Sequence, residues 1–234
     1  MKRNHSTKGL ILLEIFPWMH KIPSMLHGVD SSIAVLKNTE LGAELKAIRD
    51  FFLTIQKDFD SFSSSFHLSC PSGCGSCCEH FVPDITSSEA LIIASYMLFG
   101  DKKEILREKM KDWNPSNISC PMYDTWNKEH HCMIYEIRPL VCRMFASCPS
   151  ADKEGNPEYR GCRFNPKSFS LPSEKMNGMP VMSHYGRMLE DLPGNSVSTK
   201  LLPEAVGKSM NRLGIAMNSL FPRETMLLAP PEAS

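Results

Sequence analysis

The chain has 234 residues, of which 42% are hydrophobic and 22% are charged. Lysine plus arginine and aspartate plus glutamate number 26 each, so the formal net charge is zero. A balanced charge gives no overall attraction to nucleic acid or to an anionic membrane, and we expect neither partner. This length and apolar content can fill one core, which predicts a single domain.

The N-terminal segment superficially resembles a secretory signal, because basic residues precede an apolar run at residues 10–16. Glu14 interrupts that run, Pro17 follows it, and no small-residue cleavage site comes next. We therefore expect a helix or strand that packs on the core, in a cytoplasmic protein. No other segment approaches the roughly 18 apolar residues that span a bilayer.

Three helices are predicted before the middle of the chain. Apolar residues at alternating spacings of four and three run from Leu41 to Phe66 and indicate a long amphipathic helix. The same stripe fits a coiled-coil seam with a partner, but packing within the domain is the commoner outcome.

Helix-capping patterns predict the next two helices. Thr86 and Glu89 have the spacing of a capping box, which starts a helix that we expect to end at Gly100 in the left-handed conformation. Residues 101–104 repeat the capping pattern and predict a third helix through Trp113.

Residues 114–166 combine five cysteines with six prolines and show little periodicity, which predicts a loop-rich region. Pro139 suits the first residue of a short helix there. Residues 199–220 are amphipathic and predict a helix. The methionines near the C-terminus are more typical of adaptable core residues than of soft-metal ligands.

Cysteine is the most informative residue type. Four cysteines fall within nine residues and five follow downstream; the full set is Cys70, Cys74, Cys77, Cys78, Cys120, Cys132, Cys142, Cys148 and Cys162. In a reducing compartment, thiols at this density are better explained by metal than by disulfides. All nine are candidate metal ligands.

The adjacent pair Cys77 and Cys78 constrains the arrangement, since neighbouring side chains on an extended chain diverge. We expect the two thiols to face two different sites or one polynuclear cluster. Eight cysteines would complete two four-thiolate shells, with either Cys148 or Cys162 as the eighth ligand. Gly73 and Gly75 would supply the turns of the first loop. Zinc and an iron–sulfur cluster both accept four thiolates, and we slightly favour iron.

Charged and imidazole side chains flank the cysteines. Arg138 and Arg143 are candidates to bind the cofactor by balancing the negative charge of a thiolate site, with a surface salt bridge as the alternative. His80, His130 and His131 are alternative ligands or proton carriers, although exposed or hydrogen-bonded histidines are the simpler interpretation.

Four motifs lie within about residues 68–165: Cys70-x3-Cys74-x2-Cys77-Cys78, Ile85-Thr86-Ser-Ser-Glu89-Ala90, Cys120-Pro-Met and Cys132-Met-Ile-Tyr135-Glu-Ile-Arg138-Pro139-Leu-Val-Cys142-Arg143-Met-Phe145. In these motifs the chain resembles the YkgJ-type cysteine-cluster family of small bacterial proteins, described as zinc- or iron-chelating or as iron–sulfur oxidoreductases. The family usually has Cys-x2-Cys-x2-Cys-Cys, so one extra residue precedes Cys74 here. The resemblance implies metal chelation and brings no defined reaction.

The spacing Cys70-x3-Cys74-x2-Cys77 also matches the cluster loop of radical S-adenosylmethionine enzymes. Those enzymes usually carry an aromatic residue before the last cysteine, where this chain has Ser76. The sequence also lacks the repeated strand and helix units of their barrel, so this alternative is the less favoured one.

The expected fold is mainly α, a single domain of helices around a loop-rich, metal-stapled cysteine cluster. We divide it into an N-terminal helical segment (1–67), a cysteine-cluster region (68–166) and a C-terminal helical segment (167–234). Two functions remain open: an iron–sulfur protein or oxidoreductase with a redox partner, and a zinc-stapled interaction module without catalysis. No phosphate loop, dinucleotide fingerprint or nucleophile–base pair indicates other chemistry.

Overall fold

The computed structural model describes residues 26–68, 75–126, 131–145, 147–159, 162, 171 and 173–221. The predicted N-terminal element at residues 10–16 lies outside this part. Seven α-helices and four two-residue strands account for its regular structure, together with short 3-10 turns, which confirms the mainly α fold. The helices are α1 (Leu26–Val35), α2 (Glu40–Ser65), α3 (Ser87–Phe99), α4 (Lys103–Asp112), α5 (Leu140–Met144), α6 (Met182–Glu190) and α7 (Leu202–Leu220).

Two small antiparallel sheets connect distant parts of the chain. Strand β1 (Asp84–Ile85) pairs with β4 (Lys200–Leu201), and β2 (Ser150–Ala151) pairs with β3 (Pro157–Glu158). In the first sheet Asp84 lies opposite Leu201. This pairing brings the start of α7 next to the segment that follows Cys78.

Helix α2 is the predicted long amphipathic helix. It begins after Thr39, whose hydroxyl accepts a hydrogen bond from the amide of Gly42 at 3.1 Å. Its apolar stripe is buried by other elements of the same chain: Leu45, Ile48 and Ile55 have no exposed surface. The stripe therefore packs within the domain rather than forming a seam for another chain.

Helix α3 is the centre of the core. Its residues from Ala90 to Met97 are all buried, and it packs against α1, α2 and α7. A helix that is apolar on every side is stable only where other helices surround it. The predicted capping box is present, with reciprocal bonds between Thr86 and Glu89.

Two predicted details at helix ends are wrong. Gly100 closes α3 with φ −70° and ψ 160°, which is extended and not left-handed. A Cβ atom there would lie 2.3 Å from a ring carbon of Tyr96, so the position requires glycine for space. Asp101 does not cap α4, because its carboxylate accepts a hydrogen bond from the Tyr96 hydroxyl. The N-cap is Lys102, whose side chain makes no capping hydrogen bond.

The later helices are close to their predicted positions. Pro139 is the N-cap of α5 rather than its first residue, and α7 starts at Leu202 rather than near residue 199. Met176 is buried beside Phe62 and Leu68, as expected of a core methionine. Among the described helices, none combines the length and apolar content needed to cross a bilayer.

Candidate metal centre

Five cysteines from three separate segments surround one cavity of about 40 Å³, which we call the thiol cavity. Two lie in the turn after Gly75, two are Cys120 and Cys132, and one is on α5. The cavity is lined by Cys77, Cys78, Pro83, Cys120, Met122, Cys132, Ile134, Tyr135, Arg138, Pro139, Cys142, Phe145 and Leu202. The structure thus brings together five of the nine predicted ligands.

Backbone hydrogen bonds hold these segments in place. The amide of Cys78 donates to the carbonyl of Gly75 at 2.8 Å, which closes the turn. The carbonyl of Cys78 in turn accepts from the amide of Cys120, also at 2.8 Å. Cys132 forms an isolated β-bridge with Tyr123, so backbone hydrogen bonds join the segments that carry Cys78, Cys120 and Cys132.

Gly75 allows this close approach. A Cβ atom there would lie 2.2 Å from a ring carbon of Tyr123 and 2.6 Å from Cβ of His131. Gly75 itself does not have a positive φ. The predicted role of Gly75 as a turn residue is therefore better stated as a need for space; Gly73 lies outside the described residues.

The thiols interact with one another. The side chains of Cys120, Cys132 and Cys77 neighbour the Cys78 thiol, and these contacts raise the pKa of Cys78. The same contact with Cys78 lowers the pKa of Cys77 to about 6 and lowers the pKa of Cys132. Burial raises the pKa of Cys142. The lowered pKa values of Cys77 and Cys132 favour the thiolate form, which is the form that binds metal cations.

Arg138 supplies positive charge at the thiol cavity. Its guanidinium lies 4.1 Å from the ring centroid of Tyr135, and its buried Nε has no hydrogen-bond partner. After the larger effect of the Cys78 contact, the Arg138 charge also contributes to the lowered pKa values of Cys77 and Cys132. This placement suits the predicted role of Arg138 beside thiolates.

Arg143 has different neighbours. It is 3% exposed and is not among the residues that line the thiol cavity. Its guanidinium donates to the carbonyl of Arg138 and to Gln56 Oε1, both at 2.8 Å, and to the carbonyl of Glu136. It also lies 4.2 Å from the ring centroid of Phe52. Burial lowers its pKa to about 9. Arg143 therefore links the turn that contains Arg138 to α2.

Glu89 is a positioning residue that sequence reasoning saw only as a helix cap. One carboxylate oxygen accepts from the amide and hydroxyl of Thr86, at 2.8 and 2.9 Å. The other accepts from the amide of Leu140 at 2.7 Å, two residues before Cys142. Burial raises the pKa of Glu89, and these donors oppose that shift. The capping motif identifies the Glu89 carboxylate from the sequence, whereas its hydrogen bond with the Leu140 amide is known only from the tertiary structure.

Cys148 lies elsewhere. Its thiol is 3% exposed, donates to the carbonyls of Pro149 and Pro180, and lines a second cavity. Burial raises its pKa to about 12. Cys162 is partly buried and does not line the thiol cavity.

The remaining candidate ligands are placed as follows. Cys70, Cys74 and His130 lie outside the described residues. His80 is exposed beside Glu79, and Nδ1 of His131 lies 2.9 Å from the carbonyl oxygen of Asp124. Neither described histidine lines the thiol cavity.

Cys77 and Cys78 face the same cavity rather than two different ones. The cysteines of the described residues are all free thiols. Within those residues, no group of three or more His, Cys, Asp or Glu side chains is placed so that it could hold a metal ion as it stands. The thiol cavity therefore gathers free thiols that would have to move closer together to ligate one ion.

A comparison with family models identifies this region. Residues 69–163 match the CxxCxxCC family. The description of that family reads "Putative zinc- or iron-chelating domain". The match confirms the resemblance to a cysteine-cluster family, and it supports zinc or iron as the metal of the CxxCxxCC region. No curated protein and no solved structure matches the chain.

Proposed function

We propose that the protein binds zinc or iron through the thiolates of the thiol cavity. The observation that carries this proposal is the convergence of five cysteines, from three segments of the CxxCxxCC region, on one enclosed space. Thiolate sulfur is a ligand that zinc and iron–sulfur clusters both accept. Cys70, Cys74 and Cys162 remain proposed as additional ligands.

The donor set fits a metal in its charge as well as in its chemistry. A four-thiolate site keeps negative charge after it binds a divalent ion, and the unpaired Nε–H of Arg138 is available to compensate that charge. Glu89 and Arg143 hold the backbone on either side of Arg138 and Cys142. The ligands are thus supported by residues that are themselves buried.

We favour an iron–sulfur redox protein as the finer function. Such a cluster would supply electron transfer, and adjacent thiols on one cavity, Cys77 and Cys78, suit a polynuclear group better than a single tetrahedral ion. Cys77 is exposed, which provides a short route for an electron to a partner. A reducing compartment would keep these thiols free, so we propose a cytoplasmic location.

A zinc-stapled interaction module is the second candidate. The observation in its favour is that the segments carrying Cys120 and Cys132 contain no regular helix or paired strand between α4 and the 3-10 turn at Tyr135–Ile137 within the described residues. A structural metal would provide the cross-links that such loops lack.

Metal content and colour distinguish the two candidates. We would purify the full chain without oxygen, quantify zinc and iron by mass spectrometry, and record the visible spectrum. Iron with sulfide and an absorption that dithionite bleaches would support the redox protein. Colourless protein with stoichiometric zinc would support the module, and the absence of both metals would overturn the proposal of a metal site.

Three serine variants locate the site. Cys78→Ser and Cys142→Ser should each lose bound metal, because both thiols line the thiol cavity. Cys148→Ser is the matched control and should keep its metal, because that thiol lines the other cavity. Equal metal loss in all three variants would contradict the assignment of ligands.

A further inference from the structure

The cavity that contains Cys148 lies between α2 and α6 and has a volume of about 240 Å³, so we call it the α2–α6 cavity. This volume suits a molecule somewhat smaller than a typical drug. Its lining residues come from α2, from positions 147–149 and 179–180, and from α6, and none of them lines the thiol cavity.

The lining has a single formal charge. Asp58 is the one carboxylate among these side chains, and no lysine, arginine or histidine lines the cavity with it. The hydroxyl of Tyr185 donates to Asp58 Oδ2 at 3.2 Å. The α2–α6 cavity is therefore negatively charged.

Three aromatic side chains complete the walls. Phe59 and Tyr185 form an edge-to-face pair with ring centroids 4.9 Å apart and an interplanar angle of 69°. Phe62 lines the same space. An ammonium group near a carboxylate and aromatic rings gains both ion-pair and cation–π attraction, whereas an anion would be repelled.

We propose that the α2–α6 cavity binds a small organic cation, an ammonium group attached to a compact apolar body. The charge lies near Asp58, and the apolar part contacts Phe59, Phe62 and Tyr185. Asp58 and Ser61 are exposed, so the ligand enters from solvent at α2. A bare metal ion is disfavoured, because one carboxylate is too few ligands for a hard cation.

Three probes of similar shape test the charge preference on the full chain purified with its metal. Choline carries the ammonium group, 3,3-dimethylbutan-1-ol is its neutral isostere, and 3,3-dimethylbutanoate is the anionic relative. Isothermal calorimetry should show that choline binds about tenfold more tightly than the alcohol, as expected of a partly exposed ion pair with a cation–π contact. The anion should not bind.

Two isosteric variants test the residue. Asp58→Asn should weaken choline binding about tenfold and leave binding of the alcohol unchanged. Asp60→Asn makes the same chemical change at an exposed position of α2 outside the cavity and should bind choline like the wild type. Choline that fails to bind, that binds no more tightly than the alcohol, or that binds both variants equally would overturn the proposal.

Discussion

At the scale of single residues, two arginines five positions apart have different environments. Arg138 faces the thiols and leaves one donor unpaired, whereas Arg143 uses its donors on two carbonyls and Gln56. Both follow from the same stretch of sequence, beside Cys142. Proximity in sequence predicted that both could neutralise thiolate charge, and only the tertiary contacts separate their roles.

Methionine substitutions should separate these roles experimentally. Arg138→Met should lower metal affinity about tenfold with little change in stability, as is typical when a group outside the ligand shell is removed. Arg143→Met should lower the free energy of unfolding by about 3 kcal/mol, because buried carbonyls lose charged donors. Competition with a chromophoric chelator and urea unfolding measure the two effects. Metal loss without destabilisation in Arg143→Met would instead support direct charge balance by Arg143.

Tyr96 should make stability depend on alkaline pH. Burial, and then the hydrogen bond to Asp101, raises the pKa of Tyr96 above its ordinary value of about 10. The folded chain therefore holds this proton when the unfolded chain has lost it, and stability falls as pH rises above about 10.

The variant Tyr96→Phe removes this proton and also the bond to Asp101. Near pH 8 it should be about 1–2 kcal/mol less stable than the wild type. Above pH 10 the difference should shrink by up to about 1.4 kcal/mol per pH unit. Urea unfolding at several pH values measures it, and a constant difference would contradict the raised pKa.

At the scale of elements, the thiol cavity depends on a link between α3 and α5. Glu89 completes the capping box of α3 and also accepts a hydrogen bond from the amide of Leu140 at the start of α5. Helix α5 has five residues and cannot be stable by itself. Its position, and with it that of Cys142, is set by a carboxylate on another helix.

Glu89→Gln tests this link. A glutamine has one oxygen where glutamate has two, so either Thr86 or Leu140 faces an amide group and loses its acceptor. The free energy of unfolding should fall by about 1–3 kcal/mol. Glu204→Gln is the control, because Glu204 is exposed and its ion pairs with Lys200 and Lys208 contribute little. Equal effects in the two variants would contradict a buried link at Glu89.

The long helices could be predicted from sequence because each presents an apolar repeat or a cap. Helix α2 has an apolar stripe that runs along about seven turns, and α3 has a complete capping box. The helix ends were less predictable, because tertiary contacts decide them. Asp101 accepts a hydrogen bond from the Tyr96 hydroxyl instead of capping α4, and the Tyr96 ring leaves space only for glycine at position 100. The two-residue strands have no periodicity that a sequence could reveal.

At the scale of the whole molecule, the helical core and the thiol cavity are adjacent but differently built. The core is built mainly of apolar side chains from α1, α2, α3 and α7, and it extends through Met122 and Ile134 to the thiol cavity. The thiol cavity consists mainly of residues from loops and from the short α5. The sequence predicted that the cysteines would converge, since thiols at this density are best explained by a shared metal site. It could not predict that Cys148 would separate from Cys142, because that depends on the path of the chain after α5.

Metal removal should therefore affect the two parts unequally. After treatment with a strong chelator, far-UV circular dichroism should retain most of the helical signal, because α2 and α3 bury their apolar surface independently of the thiols. Hydrogen exchange should speed up in residues 75–83 and 118–142. Loss of all helical structure on chelation would show that the metal holds the entire domain together.

The pairing of β1 with β4 has a consequence for the isolated CxxCxxCC region. It places Leu202 in the wall of the thiol cavity, although this residue lies about 120 residues after Cys78 in the chain. Gln56, the partner of Arg143, is outside residues 69–163 as well. A peptide of those residues alone would carry every proposed sulfur ligand and still lack one wall and one anchor. We expect such a fragment to bind metal more weakly than the full chain, so the span recognised by sequence is shorter than the unit that folds.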